Sequence, residues 1–136
     1  MNLALQKLET FLNNLEQKHT AERYFEICDQ LGREIDPDKI PPEWGDFPPL
    51  IQTAVNIYNT LADVIMSDIG FLGKDYTLLD HLYELEGVTN KDSTLEVILW
   101  LEQRTIKKSN EQMKKAHDKI KKKTQLPNGP PKKGRP

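Results

Sequence analysis

The sequence of 136 residues predicts an all-α protein of about five helices. Apolar residues recur at helical spacing in several segments, and glycines and prolines separate these segments. No stretch convincingly alternates apolar and polar residues as a half-buried strand would. We expect a compact acidic helical body over residues 1–103, a basic helical extension over 104–125, and a disordered tail rich in proline and lysine over 126–136.

The first two helices are predicted from short apolar stripes. Leucines and Phe11 recur three and four residues apart in a helix that ends near Lys18. Thr20 is placed to cap a second helix, and Gly32 is placed to end it. Cys28 lies on the apolar stripe of that helix, so we expect it in the core and not as a nucleophile. A single cysteine also excludes an intramolecular disulfide and a cysteine-rich zinc module.

The connector between Gly32 and Pro49 contains five prolines, which disfavour helical geometry. We therefore expect an extended segment. It carries Trp44 and Phe47. Two large aromatic side chains in so stiff a connector either fill the core or contact a partner, so both are candidate protein-binding residues.

The strongest helical pattern begins at Leu50 and continues to Ile69, where Gly70 is placed to end it. This predicts a central helix that is packed on more than one face. Residues 70–73, Gly-Phe-Leu-Gly, are expected to form a tight turn between helices with both apolar side chains pointing inward.

The glycines of this turn resemble two ligand-binding loops, and both matches are incomplete. A P-loop needs a glycine at position 68 and a hydroxyl at position 75, where Asp68 and Asp75 would repel a nucleotide. The spacing also resembles the RNA-clamping loop of KH domains, but the residues between the glycines are apolar and no flanking strands are predicted. A structural turn is therefore favoured.

Two further helices follow the turn. Thr77 and Asp80 resemble a capping box that opens a short helix, which Gly87 would end. The last helix is predicted to begin near Asp92 or Ser93 and to extend away from the core beyond residue 104.

Asp80, His81 and Glu84 form the strongest candidate for a metal or acid–base site, because they lie within about one helical turn. A structural zinc site needs three or four suitable ligands, and the other histidines lie in distant segments. We therefore expect a solvated polar face, no cofactor, and a protein that is not an enzyme.

The last helix carries an incomplete heptad seam. Its apolar positions are Leu99, Ile106, Met113 and Ile120. Glu102, Ser109 and Ala116 stand where a two-stranded coiled coil needs a second apolar residue. The seam therefore favours docking on a partner that supplies apolar surface, and its four apolar residues are candidate protein-binding residues.

The net charge of −2 conceals a strong asymmetry. Residues 1–103 contain seven Lys and Arg against nineteen Asp and Glu, a charge of −12, whereas residues 104–136 contain twelve against two, a charge of +10. A basic arm of this kind is either a solvated helix end or a contact for nucleic acid through phosphates, since it has no aromatic residue for base stacking. Its candidate residues are Lys107, Lys108, Lys114, Lys115, Lys119, Lys121, Lys122, Lys123, Lys132, Lys133 and Arg135.

The final residues 133–136, Lys-Gly-Arg-Pro, resemble the centre of an AT-hook, a short element that binds the minor groove of DNA. The longest strictly apolar run, Val97–Leu101, is far too short for a membrane span, and residues 1–30 lack the continuous apolar region of a signal peptide. We expect no membrane contact and a cytoplasmic location.

In size, helix content and layout, a compact acidic body with a charged end, the sequence resembles the small helical accessory proteins of tailed bacteriophages, particularly tail or baseplate assembly chaperones. The resemblance implies a non-enzymatic protein that binds another structural protein, in the host cytoplasm or in the virion. It assigns no role to any single residue.

Overall fold

The computed structural model describes residues 2–124, which form a predominantly α-helical fold, as predicted. The five helices are α1 (Asn2–Glu16), α2 (Ala21–Leu31), α3 (Pro49–Thr60), α4 (Leu79–Glu86) and α5 (Lys91–Thr124). Two strands, β1 (Asp63–Met66) and β2 (Gly70–Lys74), form an antiparallel hairpin. The disorder predicted for 126–136 lies outside the described residues.

The chain divides into two compact units, Met1–Val55 and Asn56–Pro136, and this division was not predicted. In the first unit, the Thr20 side chain accepts a hydrogen bond from the Arg23 N–H and caps α2, as predicted. Gly32 ends α2 in the left-handed conformation. The buried apolar residues of this unit are Leu8, Ala21, Cys28, Phe47, Ile51, Ala54 and Val55.

The connector after α2 is not extended throughout. It contains two single-turn 3-10 helices, at Pro37–Lys39 and Trp44–Asp46. The N–H of Glu43 donates to Asp46 Oδ2 at 2.9 Å, which fixes the second turn. Proline excludes long α-helices from this segment but allows short turns that begin at or near it.

The helix predicted from Leu50 to Ile69 is wrong beyond Thr60, and so is the prediction that the chain has no strands. Val64 and Ile65 are β-branched and favour a strand, although their spacing also continues the helical pattern. A three-residue loop then leads into Gly70, whose φ of 99° suits the end of such a loop. Residues 70–73 therefore lie in β2 and do not form a turn between helices.

Several other details of the second unit differ from prediction. Thr77 does not open α4 with a capping box: its hydroxyl donates to Asp75 Oδ1 at 2.6 Å, and α4 begins at Leu79. Gly87 ends α4, as predicted. Helix α5 begins at Lys91, one residue before the earlier of its two predicted starts, and the Asn90 side chain accepts a hydrogen bond from the Ser93 N–H. The buried residues described in this unit are Ile57, Tyr58, Leu61, Phe71, Gly73, Tyr83, Thr94, Val97, Ile98 and Leu101.

Candidate functional site

Strand β2 lies along α5, and two polar side chains of the helix bind its outer edge. The N–H of Phe71 donates to Ser109 Oγ at 3.0 Å, and the N–H of Lys74 donates to Glu102 Oε2 at 2.8 Å. These groups would otherwise be unpaired, because β1 occupies the other edge of β2. The helix therefore covers one edge of the two-stranded sheet.

A β-bulge at Leu72 makes this arrangement possible. In a regular strand the N–H groups of residues three apart point in opposite directions. Ile65 pairs with Phe71 and Val64 pairs with Gly73, so Leu72 is the extra residue. The bulge turns the N–H groups of Phe71 and Lys74 to the same side, where α5 lies.

The two glycines of β2 allow the helix to approach closely. A Cβ atom on Gly70 would lie 2.5 Å from Ser109 Oγ and 3.3 Å from Met113 Cγ, and one on Gly73 would lie 2.9 Å from Glu102 Oε2. Three strand residues and seven helix residues both advance about 10 Å. The glycine spacing thus matches the seven-residue spacing of Glu102 and Ser109.

This geometry explains why polar residues stand at positions of the α5 heptad repeat where a coiled coil needs apolar ones. Glu102 and Ser109 are polar because their partner is the backbone of a strand edge and not an apolar helix. Met113 lies against Gly70 and is half-buried, as is Ile106. Part of the helix face that the sequence assigned to an external partner is therefore occupied by the chain's own hairpin.

Lys74 anchors the base of the hairpin. Its Nζ lies 2.6 Å from Asp63 Oδ1, donates to the Leu61 carbonyl at 3.1 Å, and lies 4.4 Å from the centre of the Tyr58 ring. The Lys74 side chain is 7% exposed, so the ion pair and the cation–π contact compensate a nearly buried charge.

Two tyrosines complete this polar network. The Tyr76 hydroxyl donates to Glu102 Oε2 at 2.8 Å, and the Tyr58 hydroxyl donates to Thr105 Oγ1 at 2.6 Å. Burial, together with the negative charge of Glu102, raises the pKa of Tyr76 far above its ordinary value. Burial also raises the pKa of Tyr58. Both phenols therefore stay protonated and act as donors that hold the hairpin on α5.

The outer part of the hairpin exposes apolar side chains on both faces of the sheet, and we call this group the hairpin patch. It consists of Val64 (43% exposed), Ile65 (67%), Met66 (50%), Ile69 (50%) and Leu72 (44%). All four residues of β1 are exposed, and no other described strand pairs with it. Sequence reasoning missed this surface. The signal that could have indicated it is the β-branched pair Val64-Ile65 followed by two glycines, Gly70 and Gly73.

The backbone of Ile65 faces the open edge. Phe71 directs its N–H away from β1, toward Ser109. In an antiparallel pair, the residue opposite such a position also directs its N–H and C=O outward. Ile65 is opposite Phe71, so its backbone groups point to the side of β1 where no described strand lies.

The predicted protein-binding residues fall in different places. Phe47 is 3% exposed and serves the core of the first unit, with its ring edge-on to Phe11 at 5.4 Å between ring centres. Trp44 is half-buried beside Phe11. Leu99 and Ile120 on α5 are exposed. The sequence left open whether the two aromatics fill the core, and Phe47 does.

The predicted basic arm is a continuous part of α5 as far as Thr124. Lys108 is half-buried; the exposed lysines of this part are Lys107, Lys114, Lys115, Lys119, Lys121 and Lys122. The side chain of Lys123 and the residues Lys132, Lys133 and Arg135, with the AT-hook-like end, lie outside the described residues.

Asp80, His81 and Glu84 are all exposed on α4. Within the described residues, no group of three or more His, Cys, Asp or Glu side chains is arranged to hold a metal ion. No described helix combines the length and the apolar character needed to cross a membrane.

Comparison of the chain with protein families, with curated proteins and with solved structures found no match.

Proposed function

We propose that this chain is a non-enzymatic protein-interaction protein that adds a strand of a partner protein to the open edge of β1. The observation that carries the proposal is that the hairpin patch is exposed and that no described strand pairs with the outer edge of β1. Exposed apolar side chains beside an open sheet edge indicate an interaction site, because unpaired edges pair readily with extended segments.

The contrast between the two sheet edges supports this assignment. Side chains of α5 occupy the edge of β2, whereas the edge of β1 keeps the outward N–H and C=O of Ile65. A two-stranded hairpin gains stability when a third strand covers it. We therefore expect the partner segment to be extended and to carry apolar side chains that cover Ile65.

The biological setting that we propose is assembly. A small helical protein with an open apolar edge fits an assembly chaperone or structural accessory protein of a tailed bacteriophage, acting in the host cytoplasm or in the virion. The support for this setting is the layout of the sequence, and the proposed binding site does not depend on it.

The experiment compares two exposed positions of the same unit. Ile65→Lys places a charge at the edge, and Leu78→Lys places the same charge at a residue that is 60% exposed outside the hairpin. We expect affinity purification from the native cells to return a defined protein with the wild-type chain and with Leu78→Lys, and to lose it with Ile65→Lys. Equal recovery by all three chains would contradict the proposal.

A second candidate function is nucleic-acid binding through the basic arm. The exposed lysines of α5 favour it, because they surround a helix whose only acidic residues after position 103 are Glu111 and Asp118. Deletion after Gln103 would be a poor test, since it also removes Ser109 from the hairpin.

Substitutions on the exposed helix avoid this problem. We expect Lys114→Gln, Lys115→Gln and Lys119→Gln together to weaken binding to a DNA duplex and to flatten its salt dependence, because fewer phosphate contacts release fewer counterions. Lys18→Gln with Lys39→Gln, both exposed in the first unit, is the control. Undetectable binding by the intact chain at low salt would exclude this function.

A further inference from the structure

The open edge of β1 lacks the features that usually keep sheet edges apart. The strand contains no lysine and no proline, and the bulge of the hairpin lies in β2. Its one charged residue, Asp63, is paired with Lys74 Nζ at 2.6 Å. An edge of this kind pairs readily with an extended strand, and the same strand of a second copy of the chain is such a strand.

Two residues of β1 present their backbone groups to this edge. Ile65 does so because it is opposite Phe71, whose N–H binds α5. Asp63 does so for the same reason, because it is opposite Lys74, whose N–H binds Glu102. The edge therefore offers the alternate residues that an antiparallel strand needs for its hydrogen bonds.

The covered edge of β2 limits self-association to two copies. Ser109 and Glu102 occupy the outward N–H groups of β2, so the hairpin has one open edge in the described part of the chain. Two identical edges that pair in antiparallel orientation are related by a two-fold axis, and the contact uses both. The product is a closed dimer with a four-stranded sheet, and not a fibre.

Charge and apolar contact select one register for this pairing. With the two-fold axis at Ile65, this residue lies opposite its counterpart, and Val64 lies opposite Met66 of the second copy. The two Asp63 carboxylates are then about 14 Å apart along the strands. An axis at Asp63 would place them directly opposite each other, which is destabilising, and an axis at Val64 would set Ile65 against Asp63.

We propose that, without its partner, the chain forms a dimer in which two β1 strands pair antiparallel about Ile65. This inference rests on the open edge of the proposed function and adds its regulation, because the second copy and the partner strand compete for Ile65. Each β1 has only four residues, so the contact is smaller than the interface of a permanent dimer. The dimer is therefore weak, and the diluted chain is a monomer with a free edge.

Sedimentation velocity of the full chain over a hundredfold range of concentration tests the dimer. We expect the wild type to pass from monomer to dimer, and Leu78→Lys to do so equally, since Leu78 is exposed outside the hairpin. Ile65→Lys should weaken the dimer at least tenfold, because two lysines would face each other. A wild type that stays monomeric throughout, or equal dimerisation by Ile65→Lys, would overturn the proposal.

Disulfide cross-linking tests the register. In the proposed dimer the two Cα atoms of residue 65 are about 5.5 Å apart, which suits a disulfide, whereas those of residue 64 are about 8 Å apart. With oxidised glutathione, Ile65→Cys should form a covalent dimer at least tenfold faster than Val64→Cys. The wild type is the control for Cys28, which is buried. Equal or faster cross-linking of Val64→Cys would overturn this register.

Failure of the dimer and failure of the proposed function give different results. A chain that stays monomeric but still captures a protein through Ile65 would overturn the dimer alone. A dimer that captures no protein from the native cells would contradict the proposed function alone. Addition of the captured protein to the dimer should lower the dimer fraction, and a dimer that persists with that protein bound would overturn the competition.

Discussion

Gly73 and Glu102 approach each other so closely that a Cβ atom on Gly73 would lie 2.9 Å from Glu102 Oε2. The same carboxylate oxygen accepts hydrogen bonds from the Lys74 N–H and the Tyr76 hydroxyl. This contact fixes the hairpin on α5, and it therefore determines which edge of the sheet is covered and which remains open.

Gly73→Ala should destabilise the protein by about 2 kcal/mol, because the residue has a φ of 138° and its new methyl group would meet the Glu102 carboxylate. Gly45→Ala is the control, since no atom lies within 4 Å of a Cβ there and its φ is not positive. Urea unfolding measures both. Equal free energies of unfolding for the two variants would show that the close approach of Gly73 to Glu102 does not affect stability.

Ser109→Ala should leave the Phe71 N–H without its acceptor and lower the free energy of unfolding by about 1 kcal/mol. Amide hydrogen exchange of Phe71 should become faster, while that of Lys74 stays slow because Glu102 still binds it. Asn110→Ala, at the adjacent exposed position, should change neither amide. If Phe71 exchanged at the wild-type rate in Ser109→Ala, the edge contact would be refuted.

Tyr76 should make stability fall at alkaline pH. Its pKa in the folded state lies above the ordinary value of 10.0, so the folded state holds a proton that the unfolded state loses first. The stabilisation is complete below about pH 10 and disappears as the pH rises toward the folded pKa.

The variant Tyr76→Phe isolates this effect. We expect wild type to exceed it in free energy of unfolding by about 1 kcal/mol at pH 8, from the lost hydrogen bond to Glu102, and by less at pH 11. Urea titrations at the two pH values measure the difference. A difference that does not shrink at pH 11 would contradict the assignment.

Removing the hydroxyl of Tyr83 should not lower the stability of the protein, in contrast to removing that of Tyr76. Its hydroxyl oxygen is buried and has no hydrogen-bond partner among the described residues. Tyr83→Phe removes that polar atom, so the protein should be as stable as wild type or more stable by about 1 kcal/mol. Thermal unfolding at neutral pH measures this, and a loss of stability would mean that the hydroxyl has a partner.

Local signals explain which elements the sequence could predict. Thr20, Gly32 and Gly87 act through hydrogen bonds and backbone angles within a few residues, so the ends that they mark for α2 and α4 agree with the structure. The presence of helix α5 was predicted for the same reason, since helical spacing is a property of one segment.

The hairpin could not be predicted in that way. Val64, Ile65 and Ile69 fit helical spacing as well as strand propensity. The choice depends on the hydrogen bonds of Phe71 to Ser109 and of Lys74 to Glu102, which join residues 38 and 28 positions apart in the chain. Two features of the sequence indicate the hairpin, namely the glycines of residues 70–73 and the polar residues Glu102 and Ser109. They are far apart in the sequence, and only the fold brings them into contact.

The residues that we propose for protein binding differ from those that the sequence indicated. Trp44 and the exposed seam residues Leu99 and Ile120 were named as contacts. The hairpin patch was not, because four of its residues lay in a predicted helix and Leu72 lay in a predicted turn. Phe47 belongs to the core, because a small unit buries a large aromatic side chain where it can.

Hydrogen exchange of the Ile65 amide in the complex tests strand addition most directly. Its N–H faces the open edge of β1 in the free protein. With the partner from the purification bound, we expect its exchange to slow at least tenfold, while Phe71 and Lys74, already bonded to α5, change little. An Ile65 amide that exchanges equally fast in the free protein and in the complex would contradict the proposal.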